Sequence, residues 1–373
     1  HEGFATYYSL LARKELFGDD YYHWKLLESA EALDSEEGES LTDPGASSLT
    51  FYEKGAWALV MLRDKMGDLA FKRGIQNYLK TFAYGNAKID DFLRIMQLET
   101  DHDLEEYKQI WLISRDFPLE TVKKFLSDNS QSIKAWYDLR WELTTSREEN
   151  EVIISRYWQE TQSVHFRKKV LSKFIQSLSN PFLKQILQSG EPELRKSIAF
   201  HLEQIPSELK TDFESLLNDT SYLTLEHALF KLWIYFPGDR VSYLNKTRDI
   251  VGLPNYNVRI LWLFLAVLTQ DFETQEARDS YRSELFGYTS PDYPFEIRQT
   301  AFTIITEVFE LPDQNLKDLV NASVHHVWQF RSYARKLLAE NLKNEKQKLR
   351  LRKIADGLNG EEQRYLIKQL EVK

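Results

Sequence analysis

The chain has 373 residues, of which 42% are hydrophobic and 28% are charged, and its formal net charge at pH 7 is −9. This composition is typical of a folded protein of two or three domains and excludes a disordered chain. The acidic balance, without a basic block long enough to follow a phosphate backbone, indicates no nucleic acid partner. Because no cysteine is present, thiolate ligands, disulfides and cysteine nucleophiles are excluded.

Residues 1–118 have the pattern of a packed set of helices. A first helix is predicted from about Gly3 to Phe17 and ends at Gly18, after which Asp19 and Asp20 cap a second helix that runs through Leu33. An acidic loop rich in serine and glycine follows over residues 34–48. Further helix starts are predicted near Tyr52, Asp68, Asp90 and Asp103.

Residues 119–373 differ in texture. Apolar residues recur there at helical spacing in short segments, which are separated by regular Pro and Gly breaks such as Asn180-Pro181 and Pro237-Gly238. This pattern predicts helix pairs stacked into an α-solenoid of HEAT or armadillo type, with a compact irregular helical domain as the alternative. No strand alternation runs over several segments, so the predicted fold class is all-α.

The most apolar stretch, Ile260 to Thr269, is about half the length that a membrane span requires. We therefore expect a buried helix there and no integral membrane segment in this chain. No signal peptide is found at the start of the sequence, but a targeting segment could lie upstream of His1. The sequence is therefore compatible with both an exported and a cytoplasmic location. The oligomeric state is left open as well.

Two motifs carry a resemblance to a known family. Residues 1–7, His-Glu-Gly-Phe-Ala-Thr-Tyr, are similar to the segment that follows the paired histidines in the alanyl aminopeptidase and leukotriene-A hydrolase family of zinc metallopeptidases, the gluzincins. Residues 47–57, Ser-Ser-Leu-Thr-Phe-Tyr-Glu-Lys-Gly-Ala-Trp, resemble the tyrosine segment of that family. The likeness continues to residue 118. It implies that residues 1–118 are the helical rear part of a thermolysin-like catalytic domain and that residues 119–373 are a helical-repeat C-terminal domain.

The resemblance implies roles for Glu2 and Tyr52. A hydrolytic zinc site needs three protein ligands and an open position for water, and a His-Glu-x-x-His helix supplies two of the ligands and a general base. Glu2 would be the third zinc ligand, roughly eighteen residues beyond that helix. Tyr52 would donate a hydrogen bond to the oxyanion when zinc-bound water attacks the first peptide bond of a peptide substrate. Gly3 would let its helix approach the other closely.

The positions of the histidines indicate whether this chain alone can bind zinc. The eight histidines, at positions 1, 23, 102, 165, 201, 227, 325 and 326, include no pair spaced four residues apart. We therefore expect the His-Glu-x-x-His helix to lie upstream of His1, and the chain alone to be inactive and to bind zinc weakly. His325 and His326 are interpreted as capping or surface residues, because adjacent side chains on a helix point about 100° apart.

The sequence leaves alternatives open for one segment and for the function of the whole chain. The segment around Trp328, Phe330, Arg331 and Arg335 either faces a concave peptide-binding surface or, as we prefer, forms an ordinary amphipathic helix. The whole chain is either part of a zinc aminopeptidase or a non-catalytic helical-repeat scaffold derived from the same fold. Retention of both Glu2 and Tyr52 favours the enzyme. Its preference for the first residue of a peptide, and an accompanying epoxide hydrolase activity, are left open.

Overall fold

A computed structural model describes residues 1–371. Within this range the regular structure consists of 21 α-helices, with short 3-10 and π-helical turns, and no β-strand occurs. The predicted all-α class is confirmed. None of the helices in residues 1–371 combines the length and the apolar character needed to cross a bilayer.

The helices group into two compact units, one from His1 to Val170 and one from Leu171 onward. The division falls inside a helix, Val164–Phe174, so it does not coincide with the predicted domain limit between residues 118 and 119. That limit separates two sequence textures and stays a prediction. The helices of the first unit are α1 Glu2–Asp34, α2 Gly55–Met66, α3 Asp68–Thr81, α4 Ile89–Gln97, α5 Glu105–Tyr107, α6 Leu119–Asn129, α7 Gln131–Glu142, α8 Arg147–Glu160 and α9 Val164–Phe174.

Helix α1 is divided at Gly18, as predicted. Gly18 has φ 87° and ψ 173°, a combination that residues with a side chain rarely adopt, so the helix changes direction there. The prediction that Asp20 caps the second half of α1 is wrong. Its two carboxylate oxygens instead accept hydrogen bonds from the hydroxyls of Ser132 (2.5 Å) and Ser163 (2.7 Å) and tie the second half of α1 to later helices.

The core of the first unit lies where α1 packs against α2. Leu26, Trp57 and Leu62 are fully buried there. Burial of large apolar side chains of this kind is the main favourable term in folding. The core fixes α2, and with it the segment that leads into α2 and contains Tyr52.

The second unit is built so that alternate helices contact one another. Contacts join α11 to α13, α13 to α15, α15 to α17 and α17 to α19. Stacked helix pairs give such a pattern, and the HEAT or armadillo assignment stays a prediction. The helices are α10 Asn180–Gln188, α11 Pro192–His201, α12 Lys210–Glu214, α13 Tyr222–Tyr235, α14 Arg240–Thr247, α15 Asn257–Leu268, α16 Gln275–Gly287, α17 Phe295–Thr306, α18 Asp313–Ala322, α19 Trp328–Lys343, α20 Glu345–Ala355 and α21 Gly360–Glu371.

The predicted buried helix over Ile260 to Thr269 is confirmed as α15. Almost every residue from Val258 to Ala266 is buried, and the Trp262 indole N–H donates to the carbonyl of Leu244 (2.8 Å). A helix that is apolar on all sides is expected at the centre of a layered helical unit.

Candidate functional site

Tyr52 lies in the middle of a π-helical turn, Thr50–Lys54, that runs directly into α2. The N–H of Gly55 closes the turn by donating to the carbonyl of Thr50, five residues earlier. Single π-helical turns are uncommon and occur frequently at functional sites, because the additional residue redirects the side chains on the turn. The sequence predicts an ordinary helix start here, so the wider turn is a finding of the structure.

The turn is brought to the start of α1 by two glycines. A Cβ atom added to Gly3 would lie 2.7 Å from the carbonyl carbon of Gly55, and one added to Gly55 would lie 3.0 Å from the Cα of Gly3. Main chains therefore touch at this point, and only glycine allows it. This contact was not predicted: the close approach expected at Gly3 concerned the His-Glu-x-x-His helix and stays a prediction. Glu2 adjoins one glycine and Tyr52 precedes the other by less than one helical turn.

Glu2 is the first residue of α1 and its side chain is exposed to solvent. A hydrogen bond from the Glu2 main chain lowers the pKa of its carboxyl, and the nearby amino terminus lowers it further. The first effect follows from the position at a helix start, where free N–H groups favour a negative charge, and the second is the attraction of the terminal ammonium. The carboxylate is therefore ionised at neutral pH, which is the form that a metal ion requires.

A complete metal site is not built from the described residues. Among residues 1–371, no group of three or more His, Cys, Asp or Glu side chains is placed to hold an ion. Structural and catalytic zinc sites use three or four protein ligands. Glu2 has the chemistry of one such ligand, and a single exposed carboxylate does not make a site by itself.

Tyr52 borders an open groove of about 570 Å³ in the first unit. Both halves of α1 and the segment around Tyr52 contribute to its lining. The ring of Tyr52 is 46% exposed, so the phenol is accessible and is not a core residue. The groove is lined by Ala5, Thr6, Ser9, Leu10, Arg13, Lys25, Glu28, Ser29, Ala32, Leu49, Tyr52 and Glu53.

Lys54, at the end of the turn, is 2% exposed and has three main-chain partners. Its ammonium group donates to the carbonyls of Glu39 (2.7 Å), Ser114 (2.8 Å) and Arg115 (3.1 Å). Burial lowers the pKa of Lys54, and the charges of Asp116 and Glu39 partly oppose this. A lysine ammonium has three N–H donors, and all three are used.

Glu39 lies on the loop before the turn and holds the other end of it. Its carboxylate accepts hydrogen bonds from the main-chain N–H of Ser47 (2.8 Å), the Ser47 hydroxyl (2.6 Å) and the Thr50 hydroxyl (2.6 Å). These donors lower the pKa of Glu39 to about 2. Neither the role of Lys54 nor that of Glu39 was predicted from the sequence. The one signal for Lys54 in the sequence is its position between Tyr52 and α2, most of whose residues are apolar and buried.

The segment after α18 has the structural role that we preferred. Phe330 is fully buried, and Arg331 donates to the carbonyls of His325 and His326. The ring Nδ1 of His325 accepts the main-chain N–H of Val327 (3.1 Å). His325 and His326 lie between α18 and α19 rather than on a helix, and their ring centroids are 4.2 Å apart, so the predicted helical divergence of about 100° is wrong. Arg335 donates to the carbonyl of Ser323 (2.9 Å). These cations satisfy carbonyls near the end of α18, so their side chains are engaged within the fold.

Comparison with known proteins places similarity on the same region as the motifs. Residues 1–111 match the model of the peptidase family M1 domain. Aminopeptidase M1-B of Oryza sativa subsp. japonica is 26% identical over 161 residues, which are 36% of this chain and 18% of the rice protein. The glutamyl aminopeptidase of Rattus norvegicus is 28% identical over 153 residues, 34% of this chain and 16% of the rat protein.

An archaeal protein is also similar. The tricorn protease-interacting factor F2 of Thermoplasma volcanium is 34% identical over 86 residues, 22% of this chain and 11% of that protein. The chain spans less than a fifth of the length of each of these relatives. No solved structure gives a significant match.

Proposed function

We propose that this chain carries the rear part of the catalytic site of a zinc aminopeptidase, because residues 1–111 match the model of the peptidase family M1 domain. The observation that carries the proposal is the contact of Gly3 with Gly55, which brings the helix start with Glu2 beside the turn with Tyr52. Neither side chain is part of the hydrophobic core: both are exposed, and Tyr52 borders a groove. A peptide substrate would bind along this groove.

Each of the two residues has a defined part in the proposed reaction. Glu2 would act as a carboxylate ligand for zinc, and a glutamate at a helix start is ionised at neutral pH. A bound zinc ion would supply Lewis-acid activation of water and of the substrate carbonyl. The Tyr52 phenol would donate a hydrogen bond to the carbonyl oxygen of the first peptide bond as negative charge develops there.

The remaining ligands would come from residues outside this chain. No His-x-x-x-His spacing occurs anywhere in the 373 residues, and one carboxylate binds zinc only weakly. We therefore expect the isolated chain to hydrolyse no amino-acid anilide and to retain no stoichiometric zinc after dialysis. Turnover of alanyl or leucyl 4-nitroanilide by the purified chain alone would contradict this part of the proposal.

The decisive experiment uses the full-length gene product. We expect a His-Glu-x-x-His motif roughly eighteen residues before Glu2 and hydrolysis of alanyl 4-nitroanilide. Tyr52→Phe should lower kcat by about 10²- to 10³-fold with zinc content unchanged, because only the hydrogen bond to the developing charge is lost. Glu2→Gln should lower zinc content, measured by elemental analysis, together with activity.

Two exposed residues of the same unit supply the controls. Glu15→Gln changes another glutamate on α1, and Tyr84→Phe removes the hydroxyl of a fully exposed tyrosine. Both should leave kcat and zinc content unchanged. The proposal is wrong if Tyr52→Phe and Glu2→Gln behave like these two controls.

A non-catalytic scaffold is the second candidate. It is favoured by one observation in the second unit: Leu223, Phe230 and Ile234 of α13 are all about 41% exposed and recur at helical spacing. Exposed apolar positions on one helix face are typical of binding surfaces. A full-length product that lacks the His-Glu-x-x-His motif and hydrolyses no anilide would favour this candidate over the enzyme.

A further inference from the structure

Residue Glu39 contacts both ends of the turn that carries Tyr52. Its carboxylate accepts the hydroxyl of Thr50, the first residue of the turn, at 2.6 Å. Its main-chain carbonyl accepts the ammonium of Lys54, the last residue, at 2.7 Å. Tyr52 lies midway between these two contacts. One residue of the preceding loop therefore spans the whole π-helical turn.

We propose that Glu39 and Lys54 are positioning residues that hold the turn in its π-helical form and thereby orient the Tyr52 phenol. The inference rests on the proposed role of Tyr52 as a hydrogen-bond donor in the reaction. Lys54 has no donor left for a substrate, because its three N–H groups already bind three carbonyls. It acts on the reaction through Tyr52.

The π-helical form makes this role specific. A π-helical turn is less favourable than an α-helical one and relaxes to the α-helical form unless the surroundings fix it. Relaxation removes the additional residue from the turn, and one residue of an α-helix corresponds to a rotation of about 100°. Loss of the contacts to Thr50 and Lys54 would therefore turn the side chain of Tyr52 away from its present direction rather than merely loosen it.

The loop that carries Glu39 is itself fixed in place. A Cβ atom on Gly38 would lie 2.5 Å from the carbonyl oxygen of Arg115, so the two main chains touch. The main-chain N–H of Leu41 donates to the carbonyl of Leu112 (3.1 Å). Glu39 is thus held between two anchored neighbours, and Lys54 joins the same two segments from the other side.

The experiment exploits the absence of cysteine. Lys54→Cys introduces the sole thiol, which is alkylated in the unfolded chain before refolding. Aminoethylation restores a lysine-like ammonium, whereas propylation gives a side chain of the same length without a donor. Incorporation of 3-fluorotyrosine at position 52 then reports the environment of that ring by ¹⁹F NMR, and 3-fluorotyrosine at position 84 serves as the control label.

We expect the aminoethylated protein to give the ¹⁹F shift of unsubstituted protein at position 52 and the propylated protein to give a different or broadened signal. The signal at position 84 should not change. In the full-length enzyme, with every cysteine outside residues 1–373 replaced by serine, propylation should lower kcat by about 10²-fold with KM changed by no more than about twofold, because misplacing a group by about 1 Å has this effect. Aminoethylation should restore kcat.

Thr50→Val tests the other end of the turn, with a side chain of similar shape that cannot donate to Glu39. It should shift the ¹⁹F signal at position 52 even if the propylated protein fails to refold. Identical signals at position 52 in the unsubstituted protein and in Thr50→Val or the propylated protein would overturn the inference. If the signals shift but Tyr52→Phe leaves kcat unchanged, the proposed function fails, and with it the catalytic purpose of the turn.

Discussion

Lys54 in the first unit and Arg298 in the second are both 2% exposed, and both donate to main-chain carbonyls. Arg298 donates to the carbonyls of Thr289 (2.9 Å) and Asp318 (2.9 Å) and to the side-chain oxygen of Asn321 (3.0 Å). Its surroundings are closed: Asp318 is buried, and it accepts the hydroxyl of the buried Thr289. The Arg298 cluster joins helices within a core.

Lys54 uses the same chemistry beside an accessible side chain. Two residues before it, Tyr52 opens onto a groove, and the segments that Lys54 joins are loops rather than helices. A buried cation that satisfies carbonyls is an ordinary structural device in both units. The first unit differs in that an exposed phenol, that of Tyr52, lies two residues from its buried cation.

The largest expected effects come from removing the two cations. Arg298→Met and Lys54→Met should each lower the free energy of unfolding by about 3 kcal/mol, because buried carbonyls lose their donors. Denaturant unfolding followed by circular dichroism measures this. Arg352→Met, at an exposed position of α20, is the control and should change stability by no more than about 0.5 kcal/mol. If either buried cation behaves like Arg352, the comparison between the two units fails.

The two units also contain glycines that differ in packing: Gly55 in the first unit contacts the main chain of Gly3, and Gly287 in the second contacts nothing at the Cβ position. Gly55→Ala should lower the free energy of unfolding by about 1–3 kcal/mol, because the added methyl group overlaps the main chain of Gly3. Gly287→Ala, at the end of α16 where a Cβ meets no atom within 4 Å, should instead be neutral or stabilise by less than about 1 kcal/mol. Equal effects of the two substitutions would show that α1 and α2 can separate without cost.

Much of this arrangement was predictable from the sequence, and what escaped prediction has a common cause. The break at Gly18 and the buried helix over Ile260 to Thr269 follow from local rules on glycine conformation and apolar content. Glu2 and Tyr52 were singled out by resemblance. Their assigned roles as ligand and donor stay proposals.

Lys54 and Glu39 escaped because their partners carry no side-chain signature. The carbonyls of Ser114 and Arg115 lie 60 and 61 residues from Lys54, and any residue type offers the same acceptor. The π-helical turn escaped for a related reason, because Lys54 and Gly55 at its end contact distant parts of the chain, the carbonyls of Ser114 and Arg115 and the main chain of Gly3. Such contacts arise from tertiary packing, which local pattern rules do not include.

The smallest expected effect concerns Glu39 and acid. Its pKa in the folded chain, about 2, is below the ordinary value of 4.5 because the Ser47 and Thr50 donors favour the ionised form. A carboxyl whose pKa is depressed by folding stabilises the fold above its unfolded pKa, and this contribution is lost as the pH falls from about 4.5 to about 2. The Glu39→Gln protein should therefore be less stable than the unsubstituted chain at pH 7. This difference in stability should decrease as the pH is lowered through this range.

Thermal unfolding midpoints of both proteins at pH 7, 4 and 2.5 measure this difference. Glu36→Gln, an exposed glutamate on the same loop, is the matched control. With 3-fluorotyrosine at position 52, acid should shift the ¹⁹F signal of the unsubstituted chain toward that of Glu39→Gln, since protonation removes the negative charge at the acceptor of Thr50, which Glu39→Gln lacks at every pH. A difference in stability that is constant from pH 7 to pH 2.5 would mean that the charge of the Glu39 carboxylate does not stabilise the turn.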